Sequence, residues 1–298
     1  TDSTELIKVL SYNTFLVQPA FLFPDSVRRL PLIGKHLTEN FSDRDVICLQ
    51  EVFTKSQFDA LRLSIGKVWP HAVGNVGSTG CLQGDSGLFI ASRRPISWSR
   101  FWNFGSYLVG SDALAGKGIL AVETGGGVFL TTHGQADPDN FPTWWFPKRW
   151  EKARKSRERC TAFVARIVES VIARSGGAVV VVTGDFNVIG DKEEYANSMV
   201  PALSPANLKD AYRSSTADPG FTFDLTENKI STPDGNGPQR LDYIFVLDSV
   251  EVSNISVEKM WDDSEGKKNR GLSDHYGLAI SVRRKKEQPR EEEEGEDK

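Results

Sequence analysis

Four consecutive valines, Val179 to Val182, run through Thr183 into Gly184-Asp185-Phe186-Asn187, and this coupling of a strand-length apolar run to a polar terminus recurs along the chain. Apolar runs of the same kind lie at Leu6–Leu10, Val46–Leu49, Gly87–Ala91, Gly118–Val122, Val128–Thr132, Ala178–Thr183, Leu241–Leu247 and Gly277–Val282. Several are almost unbroken hydrophobes, the pattern of strands covered on both faces. Val250–Val257 alternates apolar with polar residues instead, as a half-buried strand does. Helical periodicity is clearest from Lys148 to Arg174, where Cys160, Phe163, Val164, Ile167, Val168, Val171 and Ile172 recur at three- and four-residue spacing before the Gly176-Gly177 stop signal. Shorter helices are expected near Ser26–Glu39 and Lys55–Ile65.

No internal repeat or linker divides the chain, so residues 1–283 read as a single domain. Residues 284–298, where basic residues give way to Glu291–Glu294, read as a charged disordered tail. A hydrophobic content of 39% is enough for a sizeable core. The net charge of -4 and a pI near 5.7, with no broad basic stripe, argue against nucleic-acid binding through bulk positive charge. No apolar run is long enough to span a bilayer. The start at Thr1 without a hydrophobic leader fits a trimmed precursor or a cloned fragment. Cys48, Cys81 and Cys160 show no metal-ligand spacing, and an odd number leaves at least one unpaired within the chain.

Six short motifs carry the chemistry: Ser11-Tyr12-Asn13, Leu49-Gln50-Glu51, Thr132-His133, Gly184-Asp185-Phe186-Asn187, Leu241-Asp242-Tyr243 and Leu272-Ser273-Asp274-His275. Each sits in or beside a strand run, where a sheet can gather acids, amides and imidazoles into one pocket. Oxygen ligands of this kind suit a hard divalent cation, with Glu51 as anchor and Asn13 contributing its amide oxygen. Asp185 and Asn187, two apart, point the same way if the extended conformation continues. An asparagine alone is ordinarily a turn residue, and a histidine alone is more often structural than catalytic. Context separates His133 and His275, at strand ends, from His36 and His71.

In this order the motifs resemble the endonuclease/exonuclease/phosphatase superfamily of metal-dependent phosphoesterases, and within it the neutral and bacterial sphingomyelinases C. Supporting stretches are Glu51-Val52-Phe53, Gly84-Asp85-Ser86-Gly87, Lys117-Gly118, His133-x-Gln135-Ala136-Asp137 and Thr222-x-Asp224, so the likeness runs from about Leu6 to Val282. The resemblance implies an α/β (α+β four-layer) fold, two mainly antiparallel sheets packed as a sandwich with flanking helices and the site at one end. It implies that Glu51 and Asn13, with Asp274 nearby, hold Mg²⁺ (Mn²⁺ or Co²⁺ as substitutes, one ion or two). Asp185 and Asn187 would orient the attacking water and a phosphoryl oxygen, His275 backed by Asp242 would be the general base, and His133 would bind the phosphoryl group. Lys117 and Asp85 are implied substrate contacts. The implied reaction releases phosphocholine and ceramide from sphingomyelin by direct water attack, with inversion at phosphorus. The implied setting is a secreted monomer, after signal-peptide removal, acting at the bilayer surface without a nucleic-acid partner.

Two departures from the family pattern stand out. Gly134 follows the Thr-His motif where relatives often carry a hydrophobic residue, and the segment Glu258–Leu272 has Trp261 as its one aromatic where bacterial relatives carry an aromatic-tipped hairpin. A replacement membrane contact is expected in Phe141 to Trp150, with Trp144, Trp145 and Phe146 at its centre and Lys148 and Arg149 beside them; packing as a hydrophobic cap under the following helix is an equal reading. Trp98, Phe101, Trp102, Phe104 and Tyr107 read as half core. A nuclease or another phosphoesterase of the superfamily is the alternative. Leu241-Asp242-Tyr243-Ile244 lacks the Cys-Asp-Arg-type signature of inositol polyphosphate phosphatases, and a catalytically dead relative is disfavoured because every catalytic position is filled.

Overall fold

The computed structural model describes residues 5–17, 24–77, 84–138, 147–176, 178–230, 237–263 and 268–285. The elements in chain order are β1 (Ile7–Leu16), α1 (Pro24–Asn40), β2 (Val46–Val52), α2 (Lys55–Ile65), β3 (His71–Gly74), β4 (Phe89–Ser92), β5 (Ile96–Asn103), β6 (Gly118–Thr124), β7 (Gly127–His133) and α3 (Pro147–Ser175). There follow β8 (Val180–Asp185), α4 (Val200–Leu203), β9 (Leu208–Asp210), α5 (Ala211–Ser215), β10 (Asp242–Leu247), β11 (Val250–Glu258) and β12 (Gly277–Arg284). Trp144, Trp145, Phe146 and Cys81 lie outside the described residues, as does the chain beyond Lys285.

The strands form two six-stranded sheets, ordered β11-β12-β1-β2-β4-β3 and β5-β6-β7-β8-β10-β9. Each is mixed but mainly antiparallel, its one parallel pair lying at the centre: β1 with β2, and β7 with β8. The central strands of one sheet face those of the other. α1 and α2 cover the outside of the first sheet and α3 the outside of the second, giving four layers. Side-chain alternation explains the unbroken hydrophobic runs. On β1, Val9 faces the core between the sheets while Leu10 packs under Ile33 and Leu37 of α1. Neither face of a central strand meets water, so neither selects for polar residues.

The edges carried the weakest sequence signal. β3, β5 and β9, which no apolar run announces, lie at or beside the sheet margins, and every residue of β3 is half-buried. On β5, Trp98 and Trp102 pair with ring centroids 6.0 Å apart and pack half-buried against the core, as do Phe101 and Tyr107, while Phe104 is fully buried. β1 extends beyond its apolar run through Asn13 to Leu16, and α1 starts at Pro24 and accommodates Pro31. β12 reaches Arg284, one residue into the segment expected as tail. At the end of α3, Gly176 has φ +58°, the left-handed turn a stop glycine supplies. Between Met260 and Leu272 a short ladder closes, with Asp262 N–H donating to Arg270 and Leu272 N–H to Met260; residues 264–267 between its arms lie outside the described residues.

Gly184 is the tightest point of the site-bearing strand. Its φ is +142°, and a Cβ there would lie 2.0 Å from the carbonyl oxygen of Thr132 on β7. Gly184→Ala should therefore push β7 from β8 and cost roughly 2–4 kcal/mol. A thermal melt should show Tm lower by at least about 5 °C; an unchanged Tm would mean the backbone there relaxes freely.

Candidate active site

Topology gathers the polar motifs at one end of the sandwich. Strands β1, β2, β7 and β8 end there, and β10 and β12 begin there. In the second sheet, register sets three side chains in a row: Asp185 on β8 pairs with His133 on β7 and with Asp242 on β10. In the first sheet Asn13 pairs with Gln50, the residue before Glu51. The antiparallel β1–β12 register, with Ser11 opposite Leu278, brings the residues just before β12, including His275, alongside the end of β1.

The backbone is bent to suit. The β1–β2 ladder shifts between Asn13 and Leu16, where Phe15 has φ +52°, and opposite it Glu51 has φ +64°. A left-handed conformation is costly for a side-chain-bearing residue inside a strand and persists only where its surroundings enforce it. Gly87, itself at φ +73°, supplies the surroundings: its carbonyl accepts the Val52 N–H at 2.9 Å, and a Cβ on it would meet the Phe53 ring at 2.7 Å. Asp85 holds that loop by accepting the Gly87 N–H at 3.0 Å, so it supports the backbone behind Glu51. Its second oxygen is buried without a partner, and burial pushes its pKa up to about 6.

The Asn13 Nδ2 donates to Glu51 Oε1 at 2.9 Å and to Asp185 Oδ2 at 3.1 Å, joining the two sheets through one amide. Its oxygen accepts the Phe15 N–H at 3.1 Å. Burial, with the charge of Asp274 nearby, raises Glu51 to about 7, and burial raises Asp185 to about 6. Burial raises Asp274 as well. Asn187 departs from the expected extended course: its φ is +54°, and its N–H closes a turn onto Asp185 Oδ1 at 2.8 Å. Its Nδ2 is left as a buried donor without a partner.

The two histidines meet opposite surroundings. His275 Nδ1 lies 2.7 Å from Asp242 Oδ2, its Nε2 lies 3.8 Å from Asp185 Oδ2, and Phe223 packs edge-on against the ring at 5.2 Å. Burial opposes its charge, but Asp242, Asp274 and Asp185 outweigh that and hold its pKa well above the ordinary value. Thr222 fixes the partner acid, its hydroxyl accepting the backbone N–H groups of Leu241 and Asp242 at 3.1 Å each. His133 Nε2 is 3.9 Å from Glu51 and 3.7 Å from Asp185, yet it is also 3.2 Å from Lys117 Nζ. Burial first, then the cations of Lys117 and His275, push His133 well below the ordinary histidine range. An ammonium can only donate, so Nε2 accepts and Nδ1 carries the hydrogen; Nδ1 is buried without a partner.

Lys117, expected among the substrate contacts, is only 2% exposed; besides His133 its Nζ meets the Gly134 carbonyl and Asp112 Oδ1, each at 2.9 Å. Asp112 also accepts the Ala136 N–H at 2.7 Å, bracing the chain after His133. Sequence reading passed over Asp112 and gave Thr222 no role; their signals, an acid five residues before Lys117 and a threonine ahead of Asp242, point to no chemistry on their own.

The donor set fits a divalent cation. Glu51, His133 and Asp185 offer ligand atoms within 4.8 Å of one another, and Asp185, Asp242 and His275 form a second such group around the shared Asp185. Carboxylates that burial drives toward their protonated forms are what a bound cation relieves.

Comparison with known proteins supports the sandwich fold. Sphingomyelinase C from Streptomyces griseocarneus superposes with a TM-score of 0.70 at 23% identity, covering 93% of this chain and 99% of that one. Beta toxin from Staphylococcus aureus, as a double mutant with bound magnesium ions, superposes with a TM-score of 0.71 at 23% identity over 95% of this chain and 100% of that one. TDP2 from D. rerio, complexed with a single-strand DNA product, gives a TM-score of 0.66 at 18% identity, covering 93% and 99%. Sphingomyelin phosphodiesterase 5 from Danio rerio is 38% identical over 88 residues, 26% of this chain and 16% of that protein. An uncharacterized protein of Dictyostelium discoideum is 29% identical over 183 residues, 56% of this chain and again 16% of that protein, so the matched stretches span about a sixth of either curated relative. The Endonuclease/Exonuclease/phosphatase family matches residues 11–275, a span holding every side chain of the site, and the chain belongs to that family.

Proposed function

We propose that the protein is a divalent-metal-dependent phosphodiesterase of phospholipase C type that hydrolyses sphingomyelin to phosphocholine and ceramide. The observation that carries the hydrolytic reading is the His275–Asp242 pair at 2.7 Å, with Nε2 of His275 turned to the carboxylate cluster across the sheets. Support for sphingomyelin comes from the Danio rerio relative and from the sphingomyelinase C fold neighbour. Mg²⁺, with Mn²⁺ or Co²⁺ as substitutes, would be held by Glu51 and Asp185 with Asp274 and Asn13 beside them. Bound there it would neutralise the charge that develops on the phosphoryl oxygens.

The chain's own residues then divide the work. Asp242 fixes the His275 ring through Nδ1 and stabilises its charged form, leaving Nε2 to accept a proton from the attacking water. His133, kept neutral by burial and Lys117, would reach a phosphoryl oxygen only through its unpartnered Nδ1–H, since Nε2 accepts from Lys117. Asn187 has an unsatisfied amide donor for the same group. Docking through Trp144, Trp145 and Phe146, and action at the extracellular membrane surface, belong to the same proposal; no helix of the described residues is long and apolar enough to cross a membrane.

A second reading, a nuclease, has its own observation. The sequence shows no broad basic stripe, yet Lys148, Lys152, Lys155, Arg159 and Arg166 are all exposed and align at helical spacing along α3. Lys155 also pairs with Glu151 at 3.2 Å, and the row is a basic helix face of the kind a nuclease could turn to a phosphate backbone.

The deciding assay is phosphocholine release from sphingomyelin vesicles with Mg²⁺ or excess EDTA, beside phosphatidylcholine vesicles and plasmid DNA. Metal-dependent release from sphingomyelin alone is expected, whereas metal-dependent nicking of DNA without lipid turnover would replace the substrate. Glu51→Ala and His275→Ala should each lower kcat by at least about 10³-fold with circular dichroism unchanged; near-wild-type turnover in either removes the mechanism.

The acidic limb of the pH–rate profile should belong to His275, which must be neutral to act as base. Since Asp242 raises its pKa, Asp242→Asn should move that limb to lower pH while reducing kcat. A limb that stays in place would assign it to another group.

A further inference from the structure

Arg29 projects from α1 into the interior and is 2% exposed. A guanidinium buried this deeply is tolerated only if its donors are satisfied. Nη1 donates to the carbonyls of Thr14 at 2.9 Å and Leu272 at 2.6 Å, Nη2 donates to the carbonyl of Phe15, and Nε donates to Asp25 Oδ2 at 2.9 Å. The cation also lies 5.3 Å from the centre of the Phe15 ring. Most of its acceptors are thus backbone carbonyls, and they belong to two segments distant in sequence.

Both segments lead into the site. Thr14 and Phe15 directly follow Asn13, inside the break in the β1–β2 ladder where regular strand pairing is lost. Leu272 directly precedes Ser273, Asp274 and His275. That loop is gripped from another side by Asn228, whose Nδ2 donates to the Ser273 carbonyl at 2.7 Å and whose Oδ1 accepts the Gly271 N–H at 2.8 Å. The Leu272 N–H is taken by Met260. Among these contacts Arg29 alone reaches both the end of β1 and the loop before β12.

We infer that Arg29 is a positioning residue whose planar fork fixes the separation between the Asn13–Glu51 side of the site and the Asp274–His275 side. This rests on the reading above, in which those sides hold a divalent cation and a general base. The fork matters because its N–H directions are rigid: a lysine at the same depth keeps the charge but cannot address carbonyls from two segments with fixed geometry. A displacement of about 1 Å at a reacting group can cost roughly 10²-fold in rate, so a bracket between the two halves acts on chemistry without touching substrate.

The test compares Arg29→Met and Arg29→Lys with Ile33→Ala, a fully buried site on the same helix that serves the core alone. Mg²⁺ affinity is read by isothermal titration calorimetry, and kcat and KM on bis(p-nitrophenyl) phosphate. Arg29→Met should weaken Mg²⁺ binding by about tenfold and lower kcat by about 10²-fold with KM within about twofold, and Arg29→Lys should recover about tenfold of the lost kcat. Ile33→Ala should lose Tm while its Mg²⁺ affinity and kcat stay within about threefold of wild type. Arg29→Met behaving like Ile33→Ala would overturn the inference and leave Arg29 a clamp for folding. Should Arg29→Met not fold, Arg29→Lys decides: weakened Mg²⁺ binding supports the inference and wild-type affinity overturns it. Wild-type protein that binds no Mg²⁺ would overturn the functional reading and this inference with it.

Discussion

Asn13 donates through a single NH₂ group to Glu51 on its own sheet and to Asp185 on the facing sheet, and the geometry of this end of the sandwich depends on that bridge. Burial takes both carboxylates out of water, and a neighbouring acid, Asp274 for Glu51 and Asp242 for Asp185, adds to the cost of their charge. The fold supplies the compensation that water does not: an amide between the acids, Lys117 behind His133, and protons retained on Glu51 and Asp185 up to about pH 7 and about pH 6. Asp274 is pushed in the same direction. Such a cluster is poised to exchange its protons for a cation.

The sheet topology is what makes the bridge available. In a purely antiparallel sheet neighbouring strands end at opposite edges, so adjacent carboxyl-terminal ends never meet. The parallel pairs β1–β2 and β7–β8 break that alternation at the centre of each sheet. Four strand ends then face one another across the sandwich, while the antiparallel neighbours β10 and β12 contribute their starts. Beneath the site the sheets are registered by polar contacts. Gln50 Nε2 donates to Thr131 Oγ1 on the opposite sheet at 2.8 Å and lies 3.3 Å from Ser11 Oγ. A buried network of this kind constrains the offset of two apolar sheets that could otherwise slide. Cys48, in the same layer, is chemically quiet because burial pushes its thiol up to about 12.

Much of this was legible in the chain because strands covered on both faces leave unbroken apolar runs, and the polar residues that end them stand out. Asn13, Glu51, His133, Asp185, Asp242 and His275 announce themselves in that way. The edge strands β3, β5 and β9 do not, since half-exposed positions tolerate almost any residue. Conformational detail was hidden for another reason. The positive φ at Glu51 goes with the close approach of Gly87, distant in sequence, whereas that at Asn187 goes with a local turn onto Asp185 that the extended reading of the motif overlooked. Lys117 was an implied substrate contact, and the short Lys117-Gly118 motif does not show that its ammonium is buried against Asp112 and His133. Arg29 was invisible for the same reason: on a helix bearing several charges, its burial is a property of packing.

His133 and His275 show how far neighbours govern what one residue type can do. Both rings are buried and both lie within 4 Å of Asp185. Desolvation alone would push both toward the neutral form. Asp242 at 2.7 Å reverses that for His275, and Lys117 at 3.2 Å reinforces it for His133. The result is a ring that takes up a proton readily beside one that refuses it, with Asp185 between them. Side chains whose environments drive their proton affinities apart divide acid–base work from charge-neutral contact. The division is set in the second sheet by the register of β7, β8 and β10, which places His133, Asp185 and Asp242 in one row. A slip of one residue in any of these strands would turn its member of the row to the opposite face, so the same packing that keeps the valines of β8 inside the core also holds the three polar groups in line.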